Sequence, residues 1–227
     1  MNDYSHTLVE QEYEDLFTRE NVKLIWVTPN AEKLVAYMAR VSNPKYQNKE
    51  DISGLLKYCI KNQHWSIFEM VNACFEINTT RDIGRQILRH KSFSFQEFSQ
   101  RYANVNQLVA PPLRACRLQD ETNRQSSIPT DDPVLNEWWA YAQGFVEQTA
   151  VEKYKEALSR GIAKEQARVL LPEGLTPSRM YMNGNLRSWI HFTQLRSGNG
   201  TQFEHQEIAK QIAAICEILF PITWSAL

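Results

Sequence analysis

The change of period at Thr80 constrains this chain most. Over 67–79, Ile67, Val71, Ala73, Phe75 and Ile77 alternate with Phe68, Met70, Asn72, Cys74, Glu76 and Asn78, and Glu69 breaks the apolar set. A two-residue period describes a strand half buried against a core. Directly afterwards Arg81, Arg85 and Arg89 recur every four residues, the spacing of one helix face, and Thr80 stands where an N-cap belongs. A strand that feeds a short helix, running from Arg81 to about His90, requires a mixed fold.

The other segments agree. Val22–Val27 reads as a strand, and Asn30 as the N-cap of a helix through about Ser42. The segment 51–62 carries Ile52, Leu55, Leu56, Cys59 and Ile60 at helical spacing. The segment 91–102 has no clean period and reads as a loop. The polar stretch 110–132 belongs to a surface excursion over about 106–134. Helices are expected over 133–161 and 163–171, a strand over 175–183, and final helices over 185–195 and 201–220. The sum is α+β: mixed helices around a small, mainly antiparallel sheet, in a single domain over 1–227.

A chain of 227 residues with 43% hydrophobic and 22% charged residues can bury a real core. No apolar run approaches the roughly 18 residues that span a bilayer, and the acidic 1–20 segment lacks the pattern of a secretory signal. The expected location is cytoplasmic, with no membrane partner. The formal net charge is −1, which argues against general nucleic-acid binding. The charge is uneven, however. Over 81–101 five basic residues (Arg81, Arg85, Arg89, Lys91, Arg101) face two acidic ones (Asp82, Glu97), which points to a small anionic ligand. Cys59, Cys74, Cys116 and Cys216 show no paired metal-ligand spacing, so no metal is expected and reduced core thiols are the simple reading.

After the arginine face come Ser92, Ser94, Gln96, Glu97, Ser99, Gln100 and Arg101, interleaved with Phe93, Phe95 and Phe98. Guanidinium forks and hydroxyls suit phosphate oxygens, and the rings suit a flat ligand. The bland alternative is a solvated basic helix. An RNA-binding surface is a further alternative, disfavoured by the net charge. No Gly-rich phosphate loop is present, so a nucleotide site here is built from side chains.

Arg89-His90-Lys91, seven residues, Ser99, one residue, Arg101 resembles the R-H-R-(x)7-S-x-R signature of the flavin-dependent thymidylate synthases. His64-Trp-Ser-Ile-Phe-Glu69 is similar to that family's H-x-S/T-x-F-E segment, and Arg85-Gln86 precedes the signature at the family's spacing. Arg168-Val-Leu-Leu-Pro172 resembles its R-x-x-L-P segment, and Asn185-Leu-Arg187, His191 and Arg196 its ending. Two positions depart: Lys91 replaces the third signature Arg, and Met70 stands where many members carry His.

The resemblance implies a homotetramer that converts dUMP to dTMP. The carbon comes from 5,10-methylenetetrahydrofolate, and reduced FAD, recharged by NADPH, supplies hydride. It implies FAD contacts at His64, Ser66, Arg89, His90, Lys91, Glu97, Asn185, Leu186, Arg187 and His191. It implies dUMP contacts at Arg85, Gln86, Glu97, Ser99, Gln100, Arg101 and Arg168. Arg196 is the implied catalytic residue, facing the uracil ring and stabilising negative charge on it. No cysteine falls in any of these motifs, and no His-Asp pair is evident to activate Ser99 as a nucleophile. The alternative is a relative that binds flavin and nucleotide but is catalytically impaired. His6 and His205 match nothing and are expected at the surface or in local contacts. The Trp138-Trp139 pair reads as helix core or subunit contact.

Overall fold

A computed structural model describes residues 15–198 and 200–227; His6 lies outside them. The described strands are β1 (Val22–Val27), β2 (Asn72–Thr80), β3 (Ser94–Glu97), β4 (Arg117–Gln119), β5 (Ser127–Pro129) and β6 (Pro177–Asn185). The helices are α1 (Ala31–Ala39), α2 (Ser53–Lys61), α3 (Arg81–Ile87), α4 (Pro133–Ser159), α5 (Lys164–Ala167), α6 (Leu186–Arg196), α7 (Phe203–Leu219) and α8 (Pro221–Trp224). Four strands form an antiparallel sheet in the order β1-β2-β6-β3, and β4 and β5 form a separate hairpin. The α+β expectation agrees with this architecture.

The alternation in β2 does what its period requires. Ala73, Phe75 and Ile77 face inward, opposite Gly184, Met182 and Met180 of β6. They meet Trp189 and Phe192 of α6 and Ile208, Ile212 and Ile215 of α7, and each of these side chains is at most 2% exposed. Burying this set is the main source of stability. Trp189 locks α6 to the sheet by donating its Nε1 proton to the carbonyls of Ala73 and Gly184, both at 3.1 Å.

Gly184 is required by a close approach. A Cβ there would stand 2.3 Å from Cδ1 of Phe93, whose ring is held edge-on against Trp189 at 4.6 Å between centroids. Overpacking of this kind costs about 1–3 kcal/mol. Gly184→Ala is therefore expected to lower the melting temperature by several degrees in a thermal scan; an unchanged Tm would mean that the Phe93 ring moves aside freely.

Four local expectations need correction. The strand begins only at Asn72, because Trp65–Met70 forms a 3₁₀ helix. Trp65, Phe68 and Val71 recur every three residues, the period that a 3₁₀ turn buries. The segment 91–102 is not all loop: β3 pairs with β6 from Ser94↔Asn183 to Glu97↔Met180. It is a four-residue edge strand without Val or Ile, so its alternation is too short to read. Asn30 adopts a left-handed conformation (φ 52) and makes no side-chain cap. Thr80 holds the N-cap position of α3, but its hydroxyl donates to Asp82 instead of accepting from the helix.

The 110–132 segment carries the β4–β5 hairpin and is tied down at its start. Gln143 of α4 accepts from the Arg114 backbone N–H at 3.0 Å and donates to its carbonyl at 2.8 Å. Helix α4 is otherwise weakly covered: only Gln143, Tyr154 and Ala157 of its 27 residues are buried. Among the described residues no helix is long and apolar enough to cross a membrane.

Candidate functional site

Helix α6 positions the first group. Asn185 caps it by accepting from the Ser188 N–H at 2.9 Å. Arg187 and His191, four residues apart, then share one face. With Trp65, Glu69 and Ser92 they line a cavity of about 560 Å³. Arg187 pairs there with Glu69, a residue to which the family resemblance gives no ligand contact. The helix N-terminus and Arg187 favour an anion in this cavity. Leu186 is different: its side chain is fully buried, and its N–H donates to the Val71 carbonyl at 2.9 Å. His64 and Ser66 are exposed on the 3₁₀ segment that supplies Trp65 and Glu69, and Arg89 and Lys91 are exposed just before Ser92.

A second group surrounds α3. Arg85, Gln100 and Arg168 line a cavity of about 470 Å³ together with Arg81, Glu173 and Thr176. Glu97, Ser99 and Arg101 line a neighbouring one of about 660 Å³ with Arg179 and Tyr181, and Glu165 borders both. The mutual repulsion of the three arginines is relieved by carboxylates. Arg81 pairs with Glu97 at 3.0 Å and Arg85 with Glu173 at 2.5 Å, while Arg89 makes no ion pair among the described residues. Glu97 is further held by the Ser178 hydroxyl, which donates to it at 2.8 Å.

A third group lies between α3, α6 and α7. Arg196 ends α6, nine residues after Arg187 and so on the opposite side of the helix. Arg196 Nε donates to His90 Nε2 at 2.9 Å. His90 is 8% exposed and packs against Phe192 at 4.9 Å between centroids. Burial first, then the charges of Arg196 and His191, push its pKa down to about 4, so the ring is neutral at pH 7 and accepts at Nε2.

His205 is not a surface residue. It is fully buried on α7, with Nδ1 3.3 Å from Gln86 Oε1. Burial, then Arg196 and His90, push its pKa to about 3. The readable signal was its place at helical spacing with Ile208, Ala209 and Ile212, an apolar face. Gln86 turns inward to this group, away from the cavity of its neighbour Arg85, because adjacent helical residues point about 100° apart.

The implied residues thus divide among three surfaces of one chain. All four cysteines are free; Cys59, Cys74 and Cys216 are buried, and burial raises each of those thiols. Among the described residues no cluster of three or more His, Cys, Asp or Glu side chains is arranged to hold a metal.

Comparison with known proteins gives concordant results. The family model described as "Thymidylate synthase complementing protein" matches residues 23–222. The "Probable flavin-dependent thymidylate synthase" of Paramecium bursaria Chlorella virus 1 is 47% identical over 215 residues, covering 91% of this chain and 98% of that protein. The flavin-dependent thymidylate synthase of Synechocystis is 46% identical over 196 residues, covering 86% and 89% respectively. Among solved structures, a UMP/dUMP methylase, PolB, from Streptomyces cacaoi bound with 5-Br dUMP is similar with a TM-score of 0.78 and 27% identity, over 90% of this chain and 93% of that one.

Proposed function

This chain belongs to the flavin-dependent thymidylate synthase family, and we propose how its own residues divide the work of that reaction. The enzyme converts dUMP to dTMP, taking carbon from 5,10-methylenetetrahydrofolate, with FAD as cofactor and NADPH as reductant. The observation that carries the residue assignment is the two-sided use of α6. Its first turns present Asn185, Arg187 and His191 to one cavity, and its last residue presents Arg196 to the other side.

The first cavity suits FAD. It combines a basic side chain, a helix N-terminus, a histidine and the Trp65 ring, which match a pyrophosphate and a flat ring system. Asn185, Arg187 and His191 would hold the cofactor, with His64, Ser66, Arg89 and Lys91 from the exposed margins and with His90, Glu97 and Leu186. FAD, when bound, supplies the hydride chemistry. The residues around α3 bind dUMP: Arg85, Arg101 and Arg168 as cations for the phosphate, Ser99 as a hydroxyl donor, and Gln86, Glu97 and Gln100 as polar partners.

Arg196 is the catalytic residue. Neutral His90 accepts its Nε proton, and its two terminal amino groups make no hydrogen bond among the described residues. A guanidinium fixed at one end and open at the other is suited to stabilise negative charge on the uracil imide, which raises electron density at carbon 5. The raised thiol pKa values of Cys59, Cys74 and Cys216 support a reaction without a cysteine nucleophile.

The dispersion of these groups over one chain supports a site completed by other subunits, as does α4. Val134, Trp138, Tyr141 and Phe145 stand exposed along it at steps of four, three and four residues. A stripe of that spacing fits helix-to-helix packing in a homotetramer of single catalytic domains spanning 1–227. The free cysteines fit a reducing, cytoplasmic location.

The test is the visible spectrum of the purified protein, followed by anaerobic reduction and addition of dUMP with methylenetetrahydrofolate. A flavin band that returns only when both are present is expected. A flavin that stays reduced would overturn the assigned chemistry. Lys91 offers a finer check: Lys91→Arg installs the planar fork at an exposed position and is expected to hold or improve FAD retention on gel filtration. A marked loss would show that Lys91 serves a different contact.

A further inference from the structure

A line of four side chains runs from Gln86 to the 110–132 excursion. Gln86 Nε2 donates to Gln202 Oε1 at 2.7 Å. Gln202 Nε2 donates to Glu204 Oε2 at 3.0 Å. The other Glu204 oxygen accepts from Arg117 at 2.5 Å, and Arg114 Nε lies 3.9 Å from it. At the far end, Gln86 Oε1 faces His205 Nδ1 at 3.3 Å. These residues come from α3, α7 and the excursion, and the resemblance that assigns Gln86 says nothing of Gln202, Glu204 or His205.

The direction of the line follows from the chemistry of its anchor. An ionised carboxylate only accepts, so Gln202 must turn its NH₂ group toward Glu204. Its carbonyl oxygen then faces Gln86, which must answer with its own NH₂ group. Gln86 therefore shows its oxygen to His205, and His205 must carry its proton on Nδ1. Its other nitrogen, Nε2, is buried with no partner, so nothing competes for the opposite tautomer. Burial pushes the Glu204 carboxyl up. The Arg117 hydrogen bond, its own backbone N–H, the Arg117 charge and Gln202 outweigh that and hold it below its ordinary value.

We propose that Glu204 is a positioning residue for the nucleotide site: through Gln202 it fixes which end of the Gln86 amide meets dUMP, and through Arg117 and Arg114 it ties the excursion to the same point. This rests on Gln86 being a dUMP contact. An amide whose two ends cannot exchange offers its remaining proton and lone pair in a fixed order. A free one would present both orders and lose affinity for a ligand that fits only one.

The test is a double-mutant cycle on the FAD-loaded protein, reading dUMP affinity by calorimetry and turnover at saturating dUMP. Glu204→Gln removes the charge that orients the line. Gln202→Met cuts the line and leaves both arginine contacts of Glu204 intact, so it serves if the first variant does not fold. Each is expected to weaken dUMP binding about tenfold, with kcat near native and the flavin retained. In a Gln86→Ala background the same changes are expected to move Kd by less than about twofold, because the residue through which they act is gone.

Full additivity of the two losses would overturn the proposal, as would native dUMP affinity in Gln202→Met, with Gln86 still standing as a ligand. If Gln86→Ala alone leaves dUMP affinity unchanged, the assignment of Gln86 falls and the proposal falls with it.

Discussion

Arg196→Ala is expected to cut dTMP formation by about two to three orders of magnitude while leaving the flavin band intact. Arg196 sits at the C-terminal end of α6, on the opposite side from the Arg187 cavity, so its loss leaves Asn185, Arg187 and His191 untouched, and of the proposed FAD contacts it bonds His90 alone. Its Nε proton is committed to His90, which leaves only the terminal nitrogens for substrate. A donor aimed at developing charge is worth on the order of 10²–10³ in kcat. A fall of about that size is expected at saturating dUMP and folate. His90 loses its donor in the variant, at a cost of about 1–3 kcal/mol of stability. That cost is visible in the Tm and separable from turnover. Activity within a few-fold of the native protein would remove Arg196 from the catalytic role. Arg196→Lys sharpens the reading: it keeps the charge, loses the fork that lets one nitrogen hold His90 while two face substrate, and is expected to recover little.

How much of this was legible in the sequence differs by element, for physical reasons. Long or strongly periodic segments declared themselves. Val22–Val27 forms the strand its apolar run announced, α4 begins at Pro133 as expected, and α6 begins at Leu186, one residue after the expected start. β3 did not, because an edge strand exposed at alternate residues needs only Phe95 inside, too little for a period to show. The site followed the same rule. Residues in local patterns, such as Arg81, Arg85 and Arg89 on one helix face, could be read. Their neutralisation by Glu97 and Glu173 could not, since those partners are brought in by β3 and by the 3₁₀ turn before β6. Glu204 and His205 were hidden for a related reason. One is a charge and the other a titratable ring on a helix whose dominant signal is apolar, and Arg117 and Gln86, which they meet, lie 87 and 119 residues away in sequence.

The two buried histidines carry the second large effect, a loss of stability in mild acid. His90 and His205 have folded pKa values pushed down to about 4 and about 3, while both return to about 6.5 when unfolded. Below pH 6.5 the unfolded chain takes up protons that the native chain refuses. Stability is therefore fully present above pH 6.5 and falls as pH drops, until the folded rings themselves titrate. With both rings neutral in the native state, the slope approaches two protons per chain, about 2.7 kcal/mol per pH unit near pH 5. By pH 5 the summed loss is roughly 4 kcal/mol, a large fraction of the stability of an ordinary domain. Glu204 and Asp82, whose pKa values are lowered, lose their contributions only at more acid pH, so the window between 5 and 6.5 belongs to the histidines. Urea midpoints measured at fixed protein concentration and saturating FAD from pH 7.5 to 5 are expected to show this fall. His205→Leu is expected to reduce the slope by about one proton whatever it does to the absolute stability. An unchanged slope in that variant would mean that His205 titrates in the native protein, and that the pocket between Gln86, Phe192 and His90 admits water.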